Sequence, residues 1–404
     1  MKLPVEIEAK IQKVLEIKGG DWISILSEID EDPRTFFENS NWQNTDFSMS
    51  DMSPCSFKGA TLDGAIFDED TVTHEQVKIA YSTKDIHFLG KSELEQLSTI
   101  QDGKLKALFL ACVNGLEKRA LDLIDQIPNL DQVDSIGSTA LMRALLHEHP
   151  RIASRLLEKM QRVDQQSRDG WTALILACRY RFENVAKSLI LNMNEVDQKQ
   201  KEGWTALMYA CRNELRSTGM SLINKMEKVD QTNYEKWTAL MFAIRHKQEE
   251  LAFRLIEKME SVDQQNDDGW TSLMLACKYD LEAITLALIK KTNSVNHRNK
   301  DGQTALMIAC ERNQPNIVSS LLGNGADSNI TSKDRKTALH FASIYGNLEC
   351  AKQLLKIRGL GLHDAEKPEG QLNTALDLAR NEGHEEIVEE IAKYIGNITN
   401  IKLQ

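Results

Sequence analysis

No apolar run in this 404-residue chain approaches the roughly 20 residues that cross a bilayer, so no membrane-spanning helix and no membrane partner are expected. The opening, MKLPVEIEAK, lacks an apolar core behind a basic start and does not read as a secretory signal; the expected compartment is the cytoplasm. A basic excess is missing too. The 49 Lys/Arg face 60 Asp/Glu, a net charge of −11, which argues against nucleic acid as a partner. No CxxC pair occurs, so the seven cysteines do not read as a zinc or redox site. P-loop, GxGxxG, GxSxG and HExxH patterns are absent. His147 and His149 form a short HEH, but no Cys or carboxylate cluster stands at matching ligand spacing, and the pair reads as surface. No catalytic residue, metal or cofactor is expected, and the chain reads as a non-enzyme.

Apolar residues make up 41% of the chain and charged residues 27%, the balance of an ordinary folded protein. Its length exceeds what one core organises, which points to several domains or a repeat array. The acid excess is local: residues 1–105 hold 10 basic and 20 acidic side chains, whereas the other 299 hold 39 and 40. Five cysteines, Cys112, Cys178, Cys211, Cys277 and Cys310, lie 33 or 66 residues apart, each in an Ala-Cys pair. Packed helices sit ~8–10 Å apart, beyond the ~7 Å between Cα atoms that a disulfide tolerates, so each reads as a small core residue. Cys55 and Cys350, outside that phase, are the expected accessible thiols.

The same period governs the rest. Thr139, Thr172, Thr205, Thr238, Thr271, Thr304 and Thr337 follow one another at steps of 33. Lys106 takes the phase one step earlier, and Thr374 follows after 37, beyond the insertion GLGLHDAEKPEG. That gives about nine units from roughly 101 to 404. Each unit reads as a Thr-capped helix such as TALMYAC, a polar break, a second amphipathic helix such as AFRLIEKM, and a turn after VDQ. Gly170, Gly203 and Gly269 serve that turn.

These residues resemble the ankyrin repeat, whose mark is T-P-L-H-x-A at a period of 33. DGQTALMIA, GNGADSNI and KTALHFASIYGNLECAKQLL, with its His340, are closest to the family pattern. The resemblance implies an all-α ankyrin solenoid over about 300 residues that binds proteins on its concave face. Departures are visible. Ala follows Thr where the family has Pro. Arg181, Glu214, Lys247 and Asp280 replace the Gly between the helices, and Met160, Met193, Met226 and Met259 replace the Gly that ends the second helix. The methionines are expected to pack between repeats.

A shorter period precedes the array. Phe37, Trp42, Phe47, Met52, Phe57, Leu62, Phe67 and Val72 are spaced by five, with Thr35, Ser40, Thr45, Ser50, Cys55, Ala60 and Ala65 two residues before them. This resembles the pentapeptide repeat, a family that winds into a four-sided right-handed β-helix. The expected domains are a helical segment at 1–34, a pentapeptide β-helix cap at 35–72, a helical linker at 73–100 and ankyrin repeats at 101–404. Two coils are too little core to stand alone. Pentapeptide repeats are mainly bacterial, so the resemblance implies a bacterial protein, and an ankyrin module there implies an effector acting on host proteins in the host cytosol. Longer acidic pentapeptide proteins mimic DNA; that reading stays as an alternative, as does an enzyme with a catalytic cluster near the N-terminal region.

Within the array, Trp171, Trp204, Trp237 and Trp270 each precede the capping Thr, and Arg179, Arg212, Arg245 or Lys278 stands eight residues later. Eight helical residues advance ~12 Å and turn ~80° beyond two full turns, so the pair is expected near opposite ends of the inner helix, forming an aromatic and a cationic ladder. In ankyrin proteins these positions usually face the ligand. One reading is a groove for an acidic or extended protein partner, since Trp and Arg dominate interface hot spots. The other is a relic of repeat duplication, with the rings covering the next repeat's turn. A monomer is the expected state.

Overall fold

The computed structural model describes residues 102–357 and 371–402 continuously, and a subset of those between 36 and 100. The helices expected in 1–34, Val72 and the insertion at 359–370 lie outside the described residues. The chain forms two compact units, Met1–Asn194 and Glu195–Gln404, taken here in turn.

In the first unit, Phe37, Trp42, Phe47, Met52, Phe57, Leu62 and Phe67 are all buried in one core with Cys55, Ala60, Ala65 and Val77. The five-residue spacing arises from a repeated corner. The N–H groups of Thr45, Cys55, Ala60 and Ala65 donate to the carbonyls of Trp42, Met52, Phe57 and Leu62, three residues back, at 2.8–3.3 Å. The chain then returns beside itself. The Trp42 N–H reaches the Thr61 carbonyl at 2.8 Å, the Phe47 ring stacks on Phe67 at 5.1 Å, and Phe37 meets Phe57 at 5.6 Å. Strand β1 (Ile66–Asp68) pairs in parallel with β2 (His87–Leu89), Phe67 opposite Phe88. Parallel pairing of successive strands needs a crossover connection between them. Strand β2 lies inside 73–100, the segment expected to be helical, and its backbone pairs with β1.

The helical part of this unit begins at α1 (Gly103–Asn114), where the Asp102 carboxylate accepts from the N–H of Lys104 and Leu105. The first helix therefore starts earlier than the position of Lys106 implies, because a better cap stands upstream. There follow α2 (Glu117–Gln126), α3 (Ala140–Leu146), α4 (Pro150–Lys159), α5 (Ala173–Arg179) and α6 (Glu183–Asn192). Leu97 and Ile100 are buried, and the Ser135 N–H donates to the Gln96 carbonyl at 2.8 Å, so residues just before 101 pack with the first helices.

In the second unit, helices alternate between short inner and longer outer types: α7 (Ala206–Arg212), α8 (Arg216–Lys225), α9 (Ala239–Arg245), α10 (Glu249–Lys258), α11 (Ser272–Lys278), α12 (Glu282–Lys291), α13 (Ala305–Glu311), α14 (Pro315–Gly323), α15 (Ala338–Ile344), α16 (Leu348–Leu355), α17 (Gln371–Asn381) and α18 (Glu385–Lys402). Each Thr from Thr205 to Thr304 accepts at Oγ1 from the N–H three residues on, at 3.2–3.4 Å. Thr337 is capped differently: its N–H donates to Nδ1 of the buried His340, whose Nε2 lies 2.7 Å from Thr374 Oγ1. Thr374 is therefore not a cap; it lies inside α17.

Inner helices are buried along six successive residues, as in Ala239 to Ile244, because helices before and after enclose them. Ala and Cys at the contacts let those neighbours approach closely. All seven cysteines are buried. Burial pushes the Cys277 thiol up to about 12. Cys55 and Cys350 are as buried as the rest, which corrects the expectation of two accessible thiols: each lies on a packed face of its own element. Met193, Met226 and Met259 end their outer helices in full burial.

Successive repeats are tied by polar clamps. The side chains of Gln248, Gln314 and Asn347 donate to the carbonyls of Cys211, Cys277 and Cys310 at the end of the preceding inner helix. Between inner and outer helices the backbone is left-handed. Gly115 and Gly346 meet this with φ of 68° and 70°, but Glu148, Arg181, Glu214, Lys247, Asp280 and Asn313 hold φ of 53–64° with side chains attached. Such residues carry strain of about 1 kcal/mol each, sustained by the packing on both sides. Among the described residues no helix is long and apolar enough to cross a membrane.

Candidate functional site

Each Trp sits on the second leg of a tight turn that leads into the inner helix. In the repeat of Trp237, the Asn233 N–H donates to the Trp237 carbonyl at 3.1 Å and the Trp237 N–H returns to Asn233 Oδ1 at 2.8 Å. Asn266 holds Trp270 in the same way, with its side-chain oxygen at 2.9 Å, and in the first unit Ser167 Oγ holds Trp171 at 3.1 Å. These buried polar residues fix where each indole begins, and sequence reading missed them. Their signal was present: Ser167, Gln200, Asn233, Asn266 and Asn299 share one phase of 33.

The cations do not stand apart from the rings. Arg212 Cζ lies 5.2 Å from the centre of the Trp204 ring, Arg245 Cζ 5.4 Å from Trp237, and Lys278 Nζ 4.5 Å from Trp270. In the first unit, Arg179 Cζ lies 4.8 Å from Trp171 and 5.4 Å from Tyr180. Two ladders near opposite ends of the helix were expected; the pairs are instead joined into cation-on-indole units. Helical side chains lean toward the N-terminus, so a long cation on the last turn reaches back along the helix to the ring at its start.

The rings also touch each other. Trp204 stacks on Tyr209 at 4.7 Å and meets Phe242 of the next repeat in a tilted contact at 4.8 Å, and Phe242 stacks on Trp237 at 5.1 Å. A column Tyr209–Trp204–Phe242–Trp237 results, half-buried at its indoles. Tyr209 and Phe242 stand five residues after a Trp, a phase filled elsewhere by Leu176, Leu275 and Ile308, and the sequence reading passed over both. Trp204 thus reaches Phe242 of the next repeat and carries Arg212 as well.

Arg212 and Arg245 are exposed and Lys278 is half-buried, and among the described residues none of the three has a carboxylate within ion-pair distance. The indole N–H groups of Trp204, Trp237 and Trp270 have no acceptor there either. The surface is thus rich in donors and cations. His246 follows Arg245, and burial, then the charge of Arg245, holds its imidazole below the ordinary histidine value; Glu214, 3.8 Å away, opposes this.

Other polar side chains of the first unit make structural contacts. Arg143 takes the phase of Tyr209 and Phe242, but its Nε donates to the buried Asp134 at 2.9 Å and its guanidinium to Gln96 at 2.8 Å. A cavity of about 310 Å³ beside it is lined by Leu97, Phe109, Leu110, Leu146 and His147 among others, and no Cys or carboxylate lines it. His149 packs its ring over Gly115 with Nε2 3.4 Å from the Val113 carbonyl. No group of three or more His, Cys, Asp or Glu able to hold a metal occurs among the described residues.

Compared with curated proteins, the chain matches none. The family profile of ankyrin repeats, in copies of three, matches residues 108–199, 182–266, 247–332 and 315–402, which together span 108–402. With its capped inner helices, outer helices and turns repeating at 33 residues, the chain belongs to the ankyrin-repeat family, whose members serve as protein-interaction modules.

Proposed function

We propose that this is a non-enzymatic interaction module whose partner site is the indole–cation surface: Trp204, Trp237, Arg212 and Arg245 at its centre, Trp270 and Lys278 at its edge. Trp171 and Arg179 of the first unit stand at the same repeat positions, with the guanidinium over its indole, and are proposed on that ground alone. One observation carries the reading. Arg212, Arg245 and Lys278 are held on indoles with no carboxylate partner among the described residues. A cation kept in place by a ring and left unneutralised is organised for an incoming anion, and Trp and Arg are the residues most enriched in interface hot spots. The partner is therefore an acidic protein segment.

The nine helix pairs between 103 and 402 favour nine ankyrin repeats. Burial at every fifth residue and the return after twenty favour a short pentapeptide β-helix at 35–72, with 73–100 joining it to repeats that begin near 101. That segment is the ground for reading the chain as bacterial, and with the ankyrin module as an effector that binds host proteins.

The test compares pull-downs with the wild type and an Arg212→Glu/Arg245→Glu variant of equal melting temperature. Proteins held by the wild type and lost by the variant are the expected outcome. An unchanged set of captured proteins sinks the site assignment.

A further inference from the structure

We propose that the segment recognised by the second unit is an acidic strand in the polyproline-II conformation, with a carboxylate at every third residue. The proposal rests on the partner-site reading above and adds the conformation and register of the ligand.

The register comes from spacing. The rings of Trp204 and Trp237 are bridged by Phe242 at 4.8 and 5.1 Å, so their centres are no more than about 10 Å apart, the separation of neighbouring packed helices. Each ring carries one cation, so charges recur at about that interval. A polyproline-II helix has three residues per turn and rises ~3.1 Å per residue, which puts residues i and i+3 on one face ~9.3 Å apart. A β-strand places same-face residues at about 6.7 or 13 Å and misses the interval.

An α-helix with carboxylates at i and i+7 would span ~10.5 Å and fits the interval as well. Hydrogen-bond chemistry separates the two. Each repeat of the ladder presents an indole N–H and a cation, all donors, and among the described residues no acceptor meets them. An α-helix has spent nearly all its carbonyls internally, whereas a polyproline-II segment has none of its backbone bonded to itself and offers carbonyls along its length. A strip in which the indole N–H groups and cations are unmet donors is complementary to the second. Single-stranded nucleic acid would need free ring faces for base stacking. Trp204 already meets Tyr209, Phe242 and Arg212, which leaves little face for a base.

The experiment measures fluorescence anisotropy of labelled 12-residue peptides against the full chain in low salt. The probes are (Glu-Pro-Pro)4, a peptide of the same composition with its glutamates contiguous, an alanine-based helical peptide with Glu at i and i+7, and oligo-dT. Expected is binding of (Glu-Pro-Pro)4 about ten-fold or more tighter than the others, lost in Arg212→Glu/Arg245→Glu and retained in Arg254→Ala, which removes an exposed outer-helix ion pair. Equal binding of the two proline peptides, preference for the helical peptide or for oligo-dT, or no binding of (Glu-Pro-Pro)4 overturns the proposal and leaves the partner site to its own pull-down. Binding of (Glu-Pro-Pro)4 that survives the Arg212→Glu/Arg245→Glu change overturns both.

Discussion

Replacing Trp204 with alanine removes a half-buried ring that stacks on Tyr209 at 4.7 Å, meets Phe242 at a tilt at 4.8 Å, and carries Arg212 at 5.2 Å. Truncating a fully buried Trp costs about 3–5 kcal/mol. Half burial brings the figure to about 2 kcal/mol, consistent with two ring contacts of ~0.5–1.5 and one cation–π contact of ~0.5–1 kcal/mol. Trp270 is the internal comparison. It is half-buried as well and carries Lys278 at 4.5 Å, but it has no ring contact among the described residues, so Trp270→Ala is expected to cost about 1 kcal/mol less than Trp204→Ala. Urea unfolding followed by far-UV circular dichroism is the assay, because six tryptophans blur a fluorescence signal. The difference between the variants, about 1 kcal/mol, isolates the stacking. Equal losses would refute the claim that the column contributes to stability. Because Trp204 touches Phe242 of the next repeat, its removal lowers stability whether or not the ring also meets a partner. Partner affinity per folded molecule must therefore be measured beside stability, and a role in recognition requires that it fall too.

Three further outcomes follow from the packing. Asp134→Ala leaves the buried Arg143 guanidinium without its carboxylate and should cost about 3–5 kcal/mol, whereas Asp134→Asn with Arg143→Leu, the residue types other repeats place there, should recover most of it in the same urea assay. Lys247→Gly relieves a left-handed backbone at φ 54° and should raise stability by about 0.5–1 kcal/mol, while Gly346→Ala, whose Cβ would lie 2.7 Å from the His384 ring, should lower it. His340 has its pKa depressed to about 4 by burial and then by Lys336. A depressed folded-state value means its neutral form stabilises the fold above the unfolded value near 6.5, and that stability drains away as pH falls from there toward 4. Urea midpoints at pH 7 and 4.5 should thus converge for His340→Gln relative to wild type; an unchanged pH dependence would count against this.

Much of the array was written in one dimension. A threonine every 33 residues sets a cap, the apolar residues behind it set a buried inner helix, and each works through contacts within a turn or with an identical neighbour. Five-residue spacing marked the buried side of the N-terminal segment for the same reason. Where the sequence misled, a partner from outside the repeat phase intervened. Asp102 supplied a better cap than the position of Lys106, and Thr374 served His340 from the repeat before rather than its own helix. Cys55 and Cys350 broke the period and were still buried, because burial depends on what packs around a residue and not on its phase. The ladder divides along the same line. That Trp and a cation recur together, eight residues apart, belongs to the sequence. That the cation lies on the ring, that Phe242 bridges two repeats, and that Arg212, Arg245 and Lys278 meet no carboxylate among the described residues are decided only in three dimensions, where the lean of helical side chains and the stacking of one repeat on the next bring those groups within reach.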